Sequence, residues 1–200
     1  MGMYVPDYDE FARRAEKGNL VPVYAEILAD LDTPVLAFMK LRRLGNRACC
    51  LLESVTGGEQ VARFSYIAVE PSLIMKSKGR LVTIESEKGT SSFALPEGQD
   101  PLDVLKNIMS QFQYVPMPGW QRFPGGMVGY MAYDLVRFFE ELPDENPDDL
   151  GLPDCYFLLT DTLVVFDHAM NRIRVVCNAH VEGDPQQAYW RARERIDRVL

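Results

Sequence analysis

The strongest constraint on the fold lies in residues 47–86. "RACCLLESV" (47–55) and "ARFSYIAVE" (62–70) are β-rich runs on either side of "TGGEQ" (56–60). "LIMKSKGRLVTIES" (73–86) repeats the pattern around Lys78-Gly79. Extended runs joined by short glycine-bearing turns pair antiparallel, because a parallel partner needs a crossover of a dozen or more residues. This stretch therefore commits the chain to three to four antiparallel strands.

The rest of the chain supplies helices to cover them. "PDYDEFARRAEKGN" (6–19) reads as a short helix with Asp7 as N-cap and Gly18 or Asn19 as its stop. "LVPVYAEIL" (20–28) alternates like a strand, and "DTPVLAFMKLRRLG" (32–45) reads as a helix capped by Thr33, with Pro34 in its first turn and Gly45 ending it. "EKGTSSFALPEGQD" (87–100) is polar and reads as a loop. "PLDVLKNIMSQFQ" (101–113) places Leu102, Leu105, Ile108, Met109 and Phe112 on one helical face. "GMVGYMAYDLVRFFEEL" (126–142) reads as a strand running into a helix, and residues 155–180 as a long hairpin turning at Asp167 to Asn171. The last helix opens at Asp184-Pro185, with Ala188, Ile196, Val199 and Leu200 among its apolar positions. It reaches residue 200 with no stop signal, as a segment of a longer chain would. Without repeated βαβ crossovers, the expected class is α+β: mainly antiparallel meanders with intervening helices, one domain of a larger two-part protein. At 47% hydrophobic content, 200 residues suffice for a sizeable core.

A net charge of −8 offers no electrostatic footprint for a phosphate backbone, so nucleic acid is not an expected partner. No apolar run reaches the ~18 residues of a membrane span, and the N-terminus lacks a basic and apolar leader, so a cytoplasmic protein is expected. Cys49, Cys50, Cys155 and Cys177 match neither a zinc site nor a disulfide framework and read as reduced thiols. His168 and His180 have no partner at metal-ligand spacing. Asp167 and His168 fall in a turn and read as solvated. Gly125, Gly126 and Gly129 fit no phosphate-loop pattern and read as positions of close approach or positive φ. Tyr130, Tyr133 and Phe138 read as packing residues.

Glu53 and Ser54 follow the apolar run Cys49 to Leu52 directly. Taken alone they fit the solvent-side end of a strand. They also fit a small-molecule contact, in which the carboxylate holds an ammonium group and the hydroxyl donates or accepts. Both side chains can serve one pocket only from a bulge or a strand end, since successive residues of a regular strand point to opposite faces.

"LLES" (51–54), "GGE" (57–59) and "RFSYIAVEP" (63–71), together with "VPVYAEILADLDTPVLAFMKL", "FPGGMVGYMAYDLVRFFEELP" and "LPDCYFLLTDTLVVFDH" in that order, resemble the N-terminal region of anthranilate synthase component I, in the chorismate-utilising enzyme family. The resemblance runs from about residue 8 to residue 200. It implies an intact enzyme that converts chorismate and glutamine-derived ammonia to anthranilate and pyruvate, with a glutamine amidotransferase (component II) as partner. It implies that the chorismate site and Mg²⁺-binding carboxylates lie in a C-terminal region absent from residues 1–200. Catalytic residues and cofactors are then expected to be absent from this segment, and the segment alone to be inactive. The resemblance further implies a tryptophan-binding, feedback role for Glu53 and Ser54, with Arg63 near that pocket. The alternatives are the N-terminal domain of aminodeoxychorismate synthase component I, and a purely structural interaction domain. Separated from a covering half, the segment is expected to bare an apolar patch and to self-associate.

Overall fold

The computed structural model describes residues 4–43, 48–54, 63–119, 123–143 and 146–200. They fall into two compact units. The antiparallel α+β class expected from the sequence is the one observed.

The first unit takes residues up to 71, 112–125 and 160–200. Its sheet has five strands in the order β1-β10-β9-β3-β2: β1 is Leu20–Leu28, β2 Cys50–Leu52, β3 Phe64–Val69, β9 Thr162–Asp167 and β10 Arg172–His180. Its described pairings are antiparallel. Helices α1 (Tyr8–Ala15), α2 (Pro34–Arg43) and α4 (Pro185–Val199) contribute to the core on one face of this sheet. Phe11, Leu41, Tyr189, Ala192 and Ile196 meet Val21, Val23, Ile67, Val164 and Phe166 there. Ala68, Leu163, Val165 and Val176 form a smaller cluster joined by Tyr24, Tyr66 and Phe123. Strand β9 is therefore buried at all six positions, which is why "TLVVF" reads as an apolar run without alternation.

The helix starts follow local chemistry. The Asp7 carboxylate accepts from the Glu10 amide at 2.9 Å, the Thr33 hydroxyl from Leu36 at 3.2 Å, and Asp184 from Gln186 at 2.9 Å. Each satisfies an amide that the first helical turn leaves unpaired. The expected stop at Gly45 lies outside the described residues.

The second unit takes residues 72–111 and 126–159. Its five-stranded sheet has the order β6-β5-β4-β8-β7, with β4 Leu73–Lys78, β5 Leu81–Ser86, β6 Gly89–Ala94, β7 Gly126–Met131 and β8 Cys155–Thr160. Helix α3 spans Pro101–Met109, and a 3₁₀ turn, Tyr133–Phe138, follows β7.

Three expectations need correction. Residues 89–94 form β6 rather than a loop; the strand is exposed throughout and pairs with β5 from Leu81↔Ala94 to Ser86↔Gly89. Such an edge buries no face, so no hydrophobic period marks it. The run 155–180 is three strands, because the chain leaves β8 at Asp161 and enters β9; only β9 and β10 form the hairpin. Helix α3 buries Pro101, Val104 and Ile108, whereas Met109 is exposed.

Candidate functional site

Strand β2 ends at Leu52, so Glu53 and Ser54 lie just past a strand end, one of the two arrangements the strand argument required. Both side chains are exposed. The β2–β3 register pairs Cys50 with Ala68, Leu51 with Ile67 and Leu52 with Tyr66. Continued by one residue, it sets Glu53 opposite Ser65, which is itself paired with Phe166 on β9. Glu53 thus extends the row of Leu51, Ile67 and Val164, on the rim of the main core. The Ser65 hydroxyl is 3.5 Å from Glu53 Oε1 and 2.8 Å from His168 Nε2.

Arg63 stands at the start of β3. Its Nε donates to Asp167 Oδ1 at 2.9 Å and its Nη2 to Asp167 Oδ2 at 2.7 Å. This two-pronged pair suits a guanidinium and a carboxylate. The guanidinium also lies 4.9 Å from the centre of the Phe64 ring. The structure brings Glu53 to Ser65, which also meets His168, and ties Arg63 to Asp167.

Asp167 is not solvated, as its turn position suggested; it is 2% exposed. Burial alone would push its carboxyl up. The hydrogen bonds from Arg63 and the Met170 amide, with the charges of Arg63 and Arg174, outweigh burial and hold it below the ordinary carboxylate range. A carboxyl depressed on folding gives stability above its unfolded value near about 4, and loses it as pH falls through the lower folded value. Asp167→Asn is accordingly expected to be less stable than the parent at neutral pH, with the gap closing under acid. Urea unfolding from pH 7 to pH 3 checks this; a gap that stays constant would show that the pair contributes nothing through its charge.

The glycine-rich segment behaves as a backbone device. Gly125 and Gly126 have φ of +117° and +135°, the region that favours glycine. A side chain at Gly125 would also meet Thr160 O at 2.4 Å and Asn178 Nδ2 at 2.8 Å. Asn178 is buried there and donates to Pro124 O at 2.6 Å. Tyr130 stacks on Tyr156 at 6.1 Å, and Phe138 lies under the Arg80 guanidinium at 5.8 Å. Tyr133 does not pack; it is 81% exposed.

Cys155 and Cys177 are buried, and all four cysteines are free. Burial pushes the Cys177 thiol up to about 12, so it stays protonated and unreactive near neutrality. Among the described residues, no group of three or more His, Cys, Asp or Glu is placed to hold a metal ion. No described helix is long and apolar enough to cross a membrane. A cleft of about 440 Å³ lies beside α1, lined by Arg13, Arg14, Lys17 and Tyr114 among others, and includes none of the residues singled out above. Glu10 pairs with both arginines at 2.8 Å, so the wall is a partly neutralised helix face.

Sequence reasoning missed Ser65; His168 is exposed in a turn, as expected, but its contact with Ser65 was not anticipated. The signal that finds Ser65 is the β2–β3 register; the turn expected at 56–60 lies outside the described residues.

Comparison with known proteins adds an independent line. A family profile described as chorismate binding enzyme matches residues 47–198. Anthranilate synthase component 1 of Acetivibrio thermocellus is 39% identical over 98% of this chain and 39% of its own length. The protein of the same name from Aquifex aeolicus is 35% identical over 94% of this chain and 37% of its own. The chain therefore spans well under half the length of these relatives. The crystal structure of anthranilate synthase component I from Streptococcus pneumoniae matches with a TM-score of 0.53 at 24% identity, over 86% of this chain and 36% of that one. At that identity the likeness bears on the fold alone.

Proposed function

The chain belongs to the chorismate binding enzyme family, and from that premise we propose that it is the tryptophan-sensing N-terminal part of an anthranilate synthase component I. The relatives named above support the choice of anthranilate synthase over aminodeoxychorismate synthase. In this reading the whole cytoplasmic enzyme takes chorismate and ammonia to anthranilate and pyruvate, with the ammonia delivered by a glutamine amidotransferase subunit. Chorismate chemistry and the Mg²⁺ it uses are assigned to the part of the longer protein beyond this segment. The segment by itself is proposed to be inactive.

The observation that carries the sensing role is the position of Glu53 and Ser54, past the end of β2 on the rim of a packed sheet. A carboxylate and a hydroxyl presented there on a rigid support suit the ammonium and carboxylate of an amino acid. Arg63, fixed to Asp167, anchors the start of β3. Exposed Met131, Tyr133, Phe139, Leu150 and Leu152 give the second unit an apolar surface suited to contact with the rest of the longer protein.

Feedback requires the effector to bind one state of the enzyme more tightly than another. In the full-length gene product, Ser54→Ala is expected to raise the half-inhibiting tryptophan concentration about tenfold, the worth of one hydrogen bond to a charged group. Inhibition is measured against each variant's own uninhibited turnover. An inhibition curve that does not move would remove Ser54 from the site.

A further inference from the structure

The position of Glu53 leaves two neighbours unexplained. Ser65 is 3% exposed and sits on the sheet face that carries the main core, beside Leu51, Ile67, Val164 and Phe166. A buried hydroxyl there is unfavourable unless it is hydrogen-bonded. Its oxygen lies 2.8 Å from His168 Nε2 and donates toward Glu53 Oε1 across 3.5 Å. A serine hydroxyl has one proton. If that proton goes to Glu53, which as a carboxylate can only accept, then His168 must supply a hydrogen from Nε2 to the serine oxygen. Both contacts hold together only with Nε2 protonated.

His168, exposed in a turn, is held for this role by its backbone and by its ring. The His168 amide donates to Arg63 O at 2.9 Å, carrying the β3–β9 pairing one step past the strands. Its ring stacks at 6.4 Å on Phe166, which is buried in the core. Ser65, Phe166 and His168 share one face of the sheet, because Ser65 pairs with Phe166 and His168 follows two residues later.

We infer that Ser65 and His168 are positioning residues of the effector site: the His168 Nε2–H turns the Ser65 proton onto the Glu53 carboxylate and holds that carboxylate at the strand end, ready for an ammonium group. The inference rests on the reading that Glu53 grips the effector. A pinned carboxylate binds more tightly than a free one because its rotamers are already restricted before the ligand arrives.

The test measures tryptophan inhibition of the full-length gene product carrying Glu53→Gln, Ser65→Ala, His168→Phe or His168→Gln. Phenylalanine keeps a ring and loses the donor, whereas glutamine keeps an N–H donor in a similar place. Ser65→Ala and His168→Phe are expected to raise the half-inhibiting concentration about tenfold, and His168→Gln by less than about twofold. Nitrogen-15 NMR of the histidines in the unaltered chain should show His168 Nε2 carrying a proton, a result that does not depend on how the variants fold. If Glu53→Gln weakens inhibition while Ser65→Ala and His168→Phe do not, the positioning role is wrong and the effector reading stands. Equal weakening by His168→Phe and His168→Gln, or an unprotonated Nε2, also overturns it. If Glu53→Gln has no effect, the effector reading falls and this inference with it.

Discussion

Gly129→Ala is expected to destabilise the protein by about 3 kcal/mol, at the upper end for overpacking. A Cβ built on Gly129 would lie 1.9 Å from Tyr156 O and 2.7 Å from Phe157 Cα. Both are backbone atoms of β8, so no side-chain rotation relieves the overlap. The strands must separate, and the sheet loses its β7 edge. Gly126→Ala provides the contrast. Its nearest neighbour is the flexible end of Met109 at 4.0 Å, so the penalty is mainly that of a non-glycine residue at φ +135°, on the order of 1–3 kcal/mol. Chemical denaturation of the two variants separates crowding from backbone strain. A loss below about 1 kcal/mol for Gly129→Ala would mean that β7 adjusts at little cost and that the close approach is not a fixed feature of the fold.

Both glycine roles could be anticipated from "GGMVGY", but not which glycine has which role. Positive φ is a property of one residue, whereas the crowding at Gly129 depends on Tyr156, a partner on another strand. The same division separates what the sequence made legible from what it did not. Asp7, Thr33 and Asp184 cap their helices through amides two or three residues away, so their roles can be read locally. Strand β6 is recognised only through its pairing with β5, since six exposed residues carry no period. The turn rule for Asp167 correctly implied a local hydrogen bond, here from Met170. It could not reveal Arg63, 104 residues earlier, whose guanidinium lets the carboxylate be buried. Glu53 and Ser54 were accessible because their oddity is local: polar residues directly after an apolar run. Ser65 looks like an ordinary strand serine until register sets it opposite Glu53, and His168 is a turn residue whose contact with Ser65 emerges only once β3 and β9 are paired.

Phe11→Ala should have an effect at least as large as Gly129→Ala, about 4 kcal/mol, as for a buried aromatic truncated to alanine. Helix α1 has eight residues, too few to persist alone in water. Phe11 is its one fully buried side chain, 0% exposed, with its ring centre 5.1 Å from that of Tyr189 on α4. Removing the ring leaves α1 held by Tyr8, 5.7 Å from the same tyrosine, and by surface pairs such as Arg13–Glu10. Exposed pairs of that kind contribute little. Hydrogen exchange at the α1 amides should therefore rise further than exchange in β9 and β10. Uniform acceleration across the first unit would instead mean that the helix and sheet open together. In the full-length gene product, the same variant also separates stability from sensing. Phe11 and Ile67 belong to one core, but Glu53, Ser65 and His168 are ordered by the β2–β3–β9 pairing rather than by α1. Below its unfolding transition, Phe11→Ala should retain the parent's half-inhibiting tryptophan concentration. A shift comparable to that of Ser54→Ala would show that the docking of α1 helps to set the geometry of the rim.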